Sequence, residues 1–362
     1  MIKCIYLHIP FCQKKCNYCS FCSFTLLKEK ENYINSLLKE INSYYNFEYL
    51  STLYFGGGTP SLLDAGDFER ILKTFNFDLM TEITLEINPN TVDMLKLKQL
   101  KNLGINRLSV GVQCFDDKIL KLIGRNHTSK EIFKCIDDIN KAGFDNFSID
   151  IIYGLPTQTL KHWENTLDNI KDINPKHISL YGLKIEKGTY FYKFLPKNLP
   201  DMDTQAKMYE MATEKLEKNY LHYEFSSFAK NKDYISKHNS ACWNRYDYWG
   251  FGLSASGFVN NRRYTNTTNF KNYLKNPNQK LWENLSVQQQ LEEEIFLGLR
   301  LYEGIDFELI NKKYNINIKE KYFSLFEKFT KEGFMKYTKN GIKLTKKGIL
   351  VSNMIMCEFI EI

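Results

Sequence analysis

Short apolar runs alternate with longer amphipathic stretches along the first half of the chain. Six of the apolar runs have the length of β-strands: Ile5–Ile9, Thr52–Phe55, Ile83–Ile87, Arg107–Val112, Phe147–Ile152 and Ile178–Leu183. Five stretches between them repeat apolar residues at helical spacing: Lys28–Tyr45, Ala65–Phe75, Val92–Leu103, Ser129–Ala142 and Leu160–Ile173. Near-continuous apolar strands separated by helices predict a parallel sheet buried on both faces. Six such units predict an α/β fold, a partial (β/α)6 barrel with its active site at the carboxyl ends of the strands.

The pattern changes after about residue 190. A helix is predicted over Asp201–Leu221, and one strand over Tyr223–Lys230. We expect this segment, residues 191–280, to form an α+β extension of the barrel, which itself spans residues 1–190.

A small separate domain is predicted over residues 281–362. An amphipathic helix at Gln288–Leu301 is followed by two more helical stretches, by a hairpin over Phe334–Leu344 and by a last helix from Lys346. Asn340-Gly341 is a strong signal for a two-residue hairpin turn. Three helices and a hairpin predict a winged-helix-like domain.

That shape makes nucleic acid a candidate partner. The hairpin has a basic edge, formed by Lys336, Lys339, Lys343, Lys346 and Lys347. However, the domain has no arginine-rich recognition helix. We therefore favour a domain that packs against the barrel over one that binds DNA.

Composition is that of an ordinary soluble globular protein. Of 362 residues, 43% are hydrophobic and 25% charged, and no apolar run approaches the ~20 residues that would span a bilayer. No targeting segment is recognised before the first strand, which predicts a cytoplasmic protein. The net charge of +7 allows weak attraction to an anionic lipid surface, a nucleic acid or a ligand that carries propionates. Peripheral membrane contact therefore stays open, and the oligomeric state is not predicted.

Three cysteines with the spacing C-x3-C-x2-C follow the first strand: Cys12, Cys16 and Cys19. Three thiolates on one loop can hold three irons of a cubane cluster and leave the fourth iron open to an amino acid carboxylate and amine. A zinc site would need a second Cys or His pair, which does not follow downstream. A disulfide framework would need an oxidising compartment. The spacing therefore favours a [4Fe–4S] cluster.

Further polar and glycine residues fall at the ends of the later strands. Gly56-Gly57-Gly58-Thr59-Pro60 follows the second strand, where missing side chains let the backbone approach a ligand closely. The other residues are Glu86, Gln113, Arg125 and Asp150. Taken singly, these residues could form a turn, cap a helix or pair with a barrel arginine. Their common place behind one cysteine loop favours a cofactor site.

With these motifs the chain resembles the radical S-adenosylmethionine (SAM) superfamily, in its coproporphyrinogen-oxidase-like branch. The matching phrases are Tyr6…His8-Ile9-Pro10-Phe11-Cys12, Gly56–Pro60, Thr84–Pro89, Arg107–Gln113, Asp150…Tyr153-Gly154-Leu155-Pro156, His177–Tyr181 and Ile185–Thr189. The resemblance implies that the barrel binds one or two SAM molecules. It assigns the SAM site to Tyr6, Gly57, Gly58, Thr59, Glu86, Gln113, Arg125 and Asp150, with Tyr18 beside adenine. Arg125 suits a methionine carboxylate, which a guanidinium can bind through two parallel hydrogen bonds.

Two features separate the chain from the oxygen-independent coproporphyrinogen III oxidases of that branch. Those enzymes carry a further cysteine two residues past the third cluster cysteine, where this chain has Phe21 and places Cys22 one residue later. They also have a long arm before the cluster loop, where this chain has eleven residues. The resemblance thus implies a haem chaperone, which delivers haem to an acceptor protein. The alternative is the oxidase, which decarboxylates propionate side chains oxidatively.

The haem ligand is expected in the segment His238-Asn239-Ser240-Ala241-Cys242-Trp243, which resembles a family element that has tyrosine in place of Cys242. Neutral imidazole is a common axial ligand of haem iron, which favours His238, and a Cys242 thiolate is a second candidate. A structural histidine, hydrogen-bonded in a loop, is an equal alternative. Further on, Ser256 stands where family members often have a histidine.

Overall fold

The computed structural model describes residues 3–361, and a mixed sheet of twelve strands dominates it. Its central part is six parallel strands in chain order: β1 Cys4–Ile9, β2 Thr52–Gly57, β3 Glu82–Ile87, β4 Arg107–Gln113, β5 Phe147–Tyr153 and β6 His177–Gly182. These strands are the six predicted ones, with bounds that differ by at most two residues at either end. The α/β class and the partial barrel are confirmed.

Helices cover the outer face of this sheet. They are α1 Lys30–Tyr44, α2 Ala65–Leu72, α3 Met94–Asn102, α4 Asp117–Leu122, α5 Ser129–Lys141 and α6 Leu160–Ile173. The side chains of Asp64, Thr128 and Thr159 form capping boxes that fix where α2, α5 and α6 begin. Only α4 lies outside the predicted helices; it has six residues, too few to show a helical period.

The sheet is buried on both faces, as predicted, but the side chains on its inner face are largely polar. Ile5, Leu7 and Ile9 face the helices and belong to the hydrophobic core between them and the sheet, whereas Tyr6 and His8 lie on the inner face of the barrel. The same alternation places threonine, serine, histidine, arginine and carboxylate side chains of the neighbouring strands inside: Thr52, Thr84, Glu86, Arg107, Ser109, Ser148, Asp150, His177 and Ser179. The inside of the barrel is therefore built to hold polar groups rather than to exclude them.

Residues 190–284 widen the sheet at both edges. They form α7 Tyr190–Lys193, α8 Met202–Leu216, β7 Leu221–Glu224, β8 Ser227–Ala229, α9 Lys237–Trp243, β9 Tyr248–Phe251, β10 Ser256–Val259, β11 Arg262–Asn266, α10 Phe270–Lys275 and β12 Lys280–Asn284. The strand order is β12-β11-β10-β9-β1-β2-β3-β4-β5-β6-β8-β7. The single strand predicted over Tyr223–Lys230 was wrong, because β7 and β8 are two antiparallel strands with a turn between them.

The last part of the chain has its own three-stranded sheet, in the order β13-β15-β14. Its elements are α11 Val287–Arg300, β13 Ile305–Asp306, α12 Phe307–Tyr314, α13 Ile318–Lys321, α14 Phe323–Lys331, β14 Met335–Tyr337, β15 Gly341–Leu344, α15 Lys346–Leu350 and α16 Ser352–Cys357. The predicted hairpin is present as β14 and β15. Its turn is not Asn340-Gly341, since Gly341 already lies in β15, where a side chain would strike the Ile305 carbonyl oxygen.

This last part is fastened to the extension of the barrel. The Phe225 amide donates to the Arg300 carbonyl, the Tyr302 amide donates to the Tyr223 carbonyl, and Lys346 pairs with Glu217. Of the predicted basic edge, Lys343 and Lys347 donate to backbone carbonyls within the last part itself. The first three contacts join this part to the segment around α8 and β7. No helix within residues 3–361 has the length and apolar composition to cross a membrane.

Candidate cluster and cofactor site

The cysteine loop is fixed at its base and at its tip. At the base, the Cys12 amide donates to the Phe24 carbonyl (2.9 Å), and the Phe24 amide donates to the Pro10 carbonyl (2.7 Å). At the tip, Asn17 donates through its backbone and side chain to the carbonyls of Ile123 (2.9 Å) and Leu122 (2.8 Å), just past and at the end of α4. The loop therefore crosses the carboxyl edge of the barrel, from the end of β1 to the end of α4, the helix that follows β4.

The three cysteines are free, and their surroundings suit a cluster. Cys12 is 8% exposed and its Sγ lies 3.6 Å from Thr59 Oγ1, while Cys16 Sγ lies 3.6 Å from Arg125 Nη1. Cys19 is half-buried in the same turn, its amide donating to the Cys16 carbonyl. Within residues 3–361, no three Cys, His, Asp or Glu side chains converge closely enough for a single metal ion. In a cubane cluster each of the three thiolates would bind a different iron.

The glycine run after β2 brings backbone against this loop. A Cβ at Gly58 would lie 2.7 Å from the Phe11 carbonyl oxygen and 3.1 Å from Cys12 Sγ. Gly57 has φ +117°, which favours glycine, and its amide donates to Glu86 Oε2 (3.1 Å). Larger residues would separate the two loops, so both glycines serve to place Thr59 beside Cys12.

Arg125 packs closely against the end of β4 and against Asn88. Its Nη2 donates to Asn88 Oδ1 (2.6 Å) and to the Gly111 carbonyl, and a Cβ at Gly111 would meet Arg125, Asn88 and Gln113 within 3.1 Å. Gln113 has φ +71° at an irregularity in the pairing of β4 with β5, which turns its side chain into this cradle. Arg125 Nε is buried and has no partner among residues 3–361. An unpartnered guanidinium donor beside the cluster loop suits the carboxylate of a cofactor.

Glu86 and Asp150 lie deeper inside the barrel. Glu86 accepts from Tyr54 Oη (3.0 Å), and Asp150 accepts from Ser109 Oγ (2.6 Å) and Ser148 Oγ (3.0 Å). Burial raises the pKa of Glu86 to about 7, with a smaller contribution from the charge of Asp150. Burial also raises the pKa of Asp150. Two carboxyl groups with unused oxygen capacity can accept from ribose hydroxyls or an ammonium group.

Tyr6 and Tyr18 lie on either side of this space. Tyr18 is half-buried within the cysteine loop, and burial raises its pKa above the usual range. Tyr6 Oη lies 3.1 Å from His8 Nδ1, and His8 Nε2 lies 2.8 Å from the Cys22 carbonyl oxygen. The sequence analysis did not assign His8, yet this buried ring links the barrel interior to the end of the cluster loop. Its place two residues after Tyr6, on the same strand face, is the signal that could have identified it.

Asn88, Tyr54, Ser109 and Ser148 were also missed as contributors to the site. Each orients a predicted residue: Asn88 holds Arg125, Tyr54 holds Glu86, and the two serines hold Asp150. Strand alternation places three of them inside, since Tyr54, Ser109 and Ser148 all stand at inward positions. The structure thus brings the predicted cysteines and SAM residues together at one end of the barrel.

His238 packs against two inner tyrosines of that site, Tyr6 and Tyr54, and neither His238 nor Cys242 lines an open haem pocket. His238 is 5% exposed, its Nδ1 lies 2.9 Å from Thr52 Oγ1, and its ring centroid is 5.0 Å from that of Tyr54. Burial lowers its pKa to about 3. Burial also raises the pKa of Cys242 to about 12, so the thiol stays protonated at neutral pH. His238 Nε2 makes no hydrogen bond with residues 3–361, but the buried ring is out of reach of a macrocycle while α9 packs on the base of the barrel.

The two positions that depart from family motifs are on the surface. Phe21 is 66% exposed on the cluster loop, whereas Cys22 is half-buried and its Sγ faces the Thr268 carbonyl at 3.9 Å. Ser256 is exposed at the beginning of β10 and its Oγ lies 3.2 Å from Thr265 Oγ1. None of the three points at the space between Arg125 and Glu86.

Comparison with known proteins agrees with this geometry. The model of the Radical SAM superfamily matches residues 6–170, and that of the HemN C-terminal domain matches residues 285–351. Among solved structures, coproporphyrinogen III oxidase (HemN) from Escherichia coli has a TM-score of 0.88. The match covers 98% of this chain and 89% of that one at 24% identity, which shows a shared fold.

The curated relatives extend the likeness over the full length. "Heme chaperone HemW" of Bacillus subtilis is 34% identical, covering 99% of both chains. That of Lactococcus lactis is 35% identical over 98% of this chain and 96% of its own. That of Escherichia coli is 35% identical over 70% of each chain. This chain therefore belongs to the radical SAM superfamily and, within it, to the HemW family.

Proposed function

We propose that the protein is a haem chaperone, which binds a [4Fe–4S] cluster, SAM and haem and passes the haem to an acceptor protein. The observation that carries the proposal is the match to proteins named heme chaperone over 99% of both chains. The exposed Phe21 supports it over the oxidase alternative, whose members have a cysteine at that place.

The cluster would be held by Cys12, Cys16 and Cys19. When bound, it supplies an iron with an open coordination position and an electron for radical chemistry on SAM. The chain contributes a fixed loop, a hydroxyl beside Cys12 and a guanidinium beside Cys16. A positive charge next to a thiolate ligand lowers the energy of its ionised form, which favours metal binding at neutral pH.

SAM would occupy the space between the cluster loop and the inner strands. Arg125 Nε is placed to donate to the methionine carboxylate, and Glu86 and Asp150 are placed to accept from hydroxyl or ammonium groups. Gly57, Gly58 and Thr59 leave room for backbone contacts, while Gln113 closes the cradle beside Gly111. Tyr6 and Tyr18 supply aromatic cover for an adenine ring.

The haem step requires a change of shape if His238 is the ligand. The Thr52 hydrogen bond at Nδ1 leaves Nε2 as the nitrogen for iron, but the ring is buried where α9 packs on the base of the barrel. Ligation would therefore follow release of α9, which breaks the hydrogen bond to Thr52. Thr52→Val removes the partner of His238 without altering the imidazole, so this variant should bind haem more tightly than the wild type. His238→Ala should lose the axial band in the absorption spectrum. Unchanged haem spectra and affinities in both variants would exclude His238 and direct the search elsewhere.

Cluster assembly tests the first half of the proposal. Iron, sulfide and Mössbauer analysis of protein reconstituted without oxygen should show one [4Fe–4S] cluster in the wild type and none in the triple Cys12, Cys16 and Cys19→Ala variant. Cys135→Ala, which removes a buried cysteine of the outer helix α5, is the matched control and should load fully. Full loading of the triple variant would contradict the assignment.

Transfer of haem tests the second half. Haem-loaded protein mixed with a haem-free acceptor such as apomyoglobin should reconstitute the acceptor faster when SAM and reduced cluster are present. The oxidase alternative predicts instead that coproporphyrinogen III is converted to protoporphyrinogen with consumption of SAM under anaerobic conditions. Robust turnover in that assay, with no haem transfer, would overturn the chaperone proposal.

A further inference from the structure

Arg107 is a buried cation inside the barrel that forms no salt bridge among residues 3–361. It begins β4 at an inward position and is 2% exposed, one of the largest fully buried side chains of the protein. Its Nε has no hydrogen-bond partner among residues 3–361, and no ion pair of that part of the chain includes it. A buried guanidinium left in this state costs several kcal/mol, so its environment is incomplete without a further group.

A second unpartnered polar atom lies on the neighbouring strand. Thr84 is the register partner of Arg107 across β3 and β4, it is 0% exposed, and its Oγ1 also lacks a partner among the described residues. Side chains at paired positions on one face of a sheet are direct neighbours. Guanidinium donors and a hydroxyl donor are thus presented together, on the inner face of the barrel.

The surrounding groups do not neutralise Arg107. His177 and His238 flank it as neutral rings, each held by a hydroxyl: Ser148 Oγ lies 2.9 Å from His177 Nδ1 and Thr52 Oγ1 lies 2.9 Å from His238 Nδ1. Burial, and then the charge of Arg107, keep the pKa of both rings below its usual value. Burial raises the pKa of Asp150 and the charge of Arg107 partly offsets that rise, but the two groups are not hydrogen-bonded, since Asp150 accepts from Ser109 and Ser148.

The strand register also shows how deep in the barrel Arg107 and Thr84 lie. Glu86 pairs with Ser109, two residues further along the same two strands that carry Thr84 and Arg107. Arg107 therefore lies one inward layer below Glu86 and the proposed SAM site, towards the end of the barrel closed by α9. A group bound there would enter the barrel past the cofactor residues.

We propose that Arg107 and Thr84 form an anion subsite that binds a carboxylate inside the barrel, below the SAM site. The planar fork of a guanidinium matches the two oxygens of a carboxylate, and the threonine hydroxyl can donate to one of them. The carboxylate has two sources, a propionate arm of haem or a free small carboxylate. The first rests on the proposed function, whereas the subsite itself does not.

Propionate, with propionamide as its neutral analogue, is the probe for the subsite. At about 100 mM, propionate should raise the melting temperature of the wild type by about 2 °C more than propionamide does, for a Kd of about 10 mM. Arg107→Met should abolish the difference and Thr84→Val should at least halve it. The unliganded Arg107→Met variant should melt no lower than the wild type, because an uncompensated buried charge has gone.

Arg70→Met is the matched control, since Arg70 is an exposed arginine paired with Glu31. It should keep the full effect of propionate. No difference between propionate and propionamide in the wild type, or the same difference in Arg107→Met, would overturn the subsite. If Arg107→Met does not fold, an undiminished effect in Thr84→Val overturns it instead, and a halved effect supports it.

Haem and its dimethyl ester then distinguish the two sources. If a propionate arm occupies the subsite, wild type should bind haem at least tenfold more tightly than the ester, and Arg107→Met should reduce that ratio to about threefold or less. Equal affinities, with the propionate effect intact, assign the subsite to a free carboxylate. Absence of all haem binding, with the propionate effect intact, would reject the proposed function and leave the subsite standing.

Discussion

Two buried polar clusters of this protein differ in how completely their atoms are paired. Behind the barrel, Glu40 and Lys280 form an ion pair whose side chains are 0% exposed, and Glu40 also accepts from the Gly252 amide, Asn266 Nδ2 and Tyr273 Oη. Inside the barrel, three buried polar atoms have no partner among residues 3–361: Arg107 Nε, Arg125 Nε and Thr84 Oγ1.

The contrast distinguishes polar groups that stabilise the fold from polar groups that are available to bind a ligand. Natural proteins pair nearly all buried polar atoms, so an unpaired one points to a missing partner. The Glu40 cluster joins α1 to β11 and β12 and has nothing left to bind. The barrel interior has spare donors and acceptors at the place where the cysteine loop, Arg125 and Glu86 meet.

Removing Glu40 should produce the largest loss of stability. Glu40→Ala leaves the buried Lys280 ammonium without its counter-charge and the Gly252 amide and Tyr273 hydroxyl without their acceptor, so the free energy of unfolding should fall by about 3–5 kcal/mol. Urea unfolding of the cofactor-free protein measures it. Glu69→Ala, which breaks an exposed i,i+4 pair with Lys73, is the control and should cost about 0.5 kcal/mol or less. Equal losses in the two variants would remove the contrast.

Glu86 should make the barrel interior sensitive to pH. Its pKa is about 7 in the folded protein, and the ordinary value is 4.5, so the native state retains a proton that the unfolded chain releases between these values. Stability therefore falls as pH rises through that window, by as much as about 3 kcal/mol. Glu86→Gln, which mimics the protonated form, should lose this decline.

The comparison needs unfolding free energies of wild type and Glu86→Gln at about pH 5 and about pH 7.5. The variant should be the more stable protein at the higher pH, and the two should approach each other at the lower pH. Parallel curves for the two proteins would show that Glu86 titrates in its ordinary range.

Arg125 should affect binding far more than folding. Arg125→Met removes the donor proposed for the SAM carboxylate, and loss of a charge-assisted hydrogen bond of about 2 kcal/mol weakens binding about thirtyfold. Equilibrium dialysis of SAM against reconstituted protein measures the effect, with iron content checked in parallel. Lys121→Met, an exposed charge on α4, is the control. Equal SAM affinities in the two variants would place the carboxylate elsewhere.

His8 should have the smallest and most local effect. His8→Phe removes the hydrogen bond to the Cys22 carbonyl, so the end of the cluster loop should open more often, by about 1 kcal/mol. Hydrogen exchange at the Cys12 and Phe24 amides should then be about fivefold faster. Tyr6→Phe, which keeps that hydrogen bond, should leave exchange near the wild-type rate. No change in His8→Phe would remove it as a positioning residue.

The strands and most barrel helices could be predicted because their signals are local. Helix α6 begins and ends where its apolar period and Thr159 place it. The cysteines and Arg125 could be assigned to the site from the sequence because their motifs follow the ends of predicted strands. The partners of His238 and the unpaired Nε of Arg107 could not be predicted. Both depend on which inward side chains meet across strands far apart in sequence.

Local signals also failed where two strands share one apolar run. Residues 223–230 suggest one strand, but the turn at Phe225-Ser226 is stabilised by distant groups, including the Arg300 carbonyl that accepts from the Phe225 amide. The turn predicted at Asn340-Gly341 failed for a similar reason, because Gly341 leaves room for β13 rather than forming a turn. Tertiary contacts of this kind are not visible in a local pattern.

The position of β1 has a consequence for how the protein is made. This strand takes one neighbour from residues 52–57 and the other from Tyr248–Phe251, so β1 lacks its second neighbour until residue 251 has been added. At about 20 residues per second, that is about 12 s after Cys19 was added. During this interval β1 and the cysteine loop that follows it lie at an edge of the sheet. Cluster insertion and translation can therefore overlap in time, and a slower ribosome would lengthen the window for both assembly and oxidation.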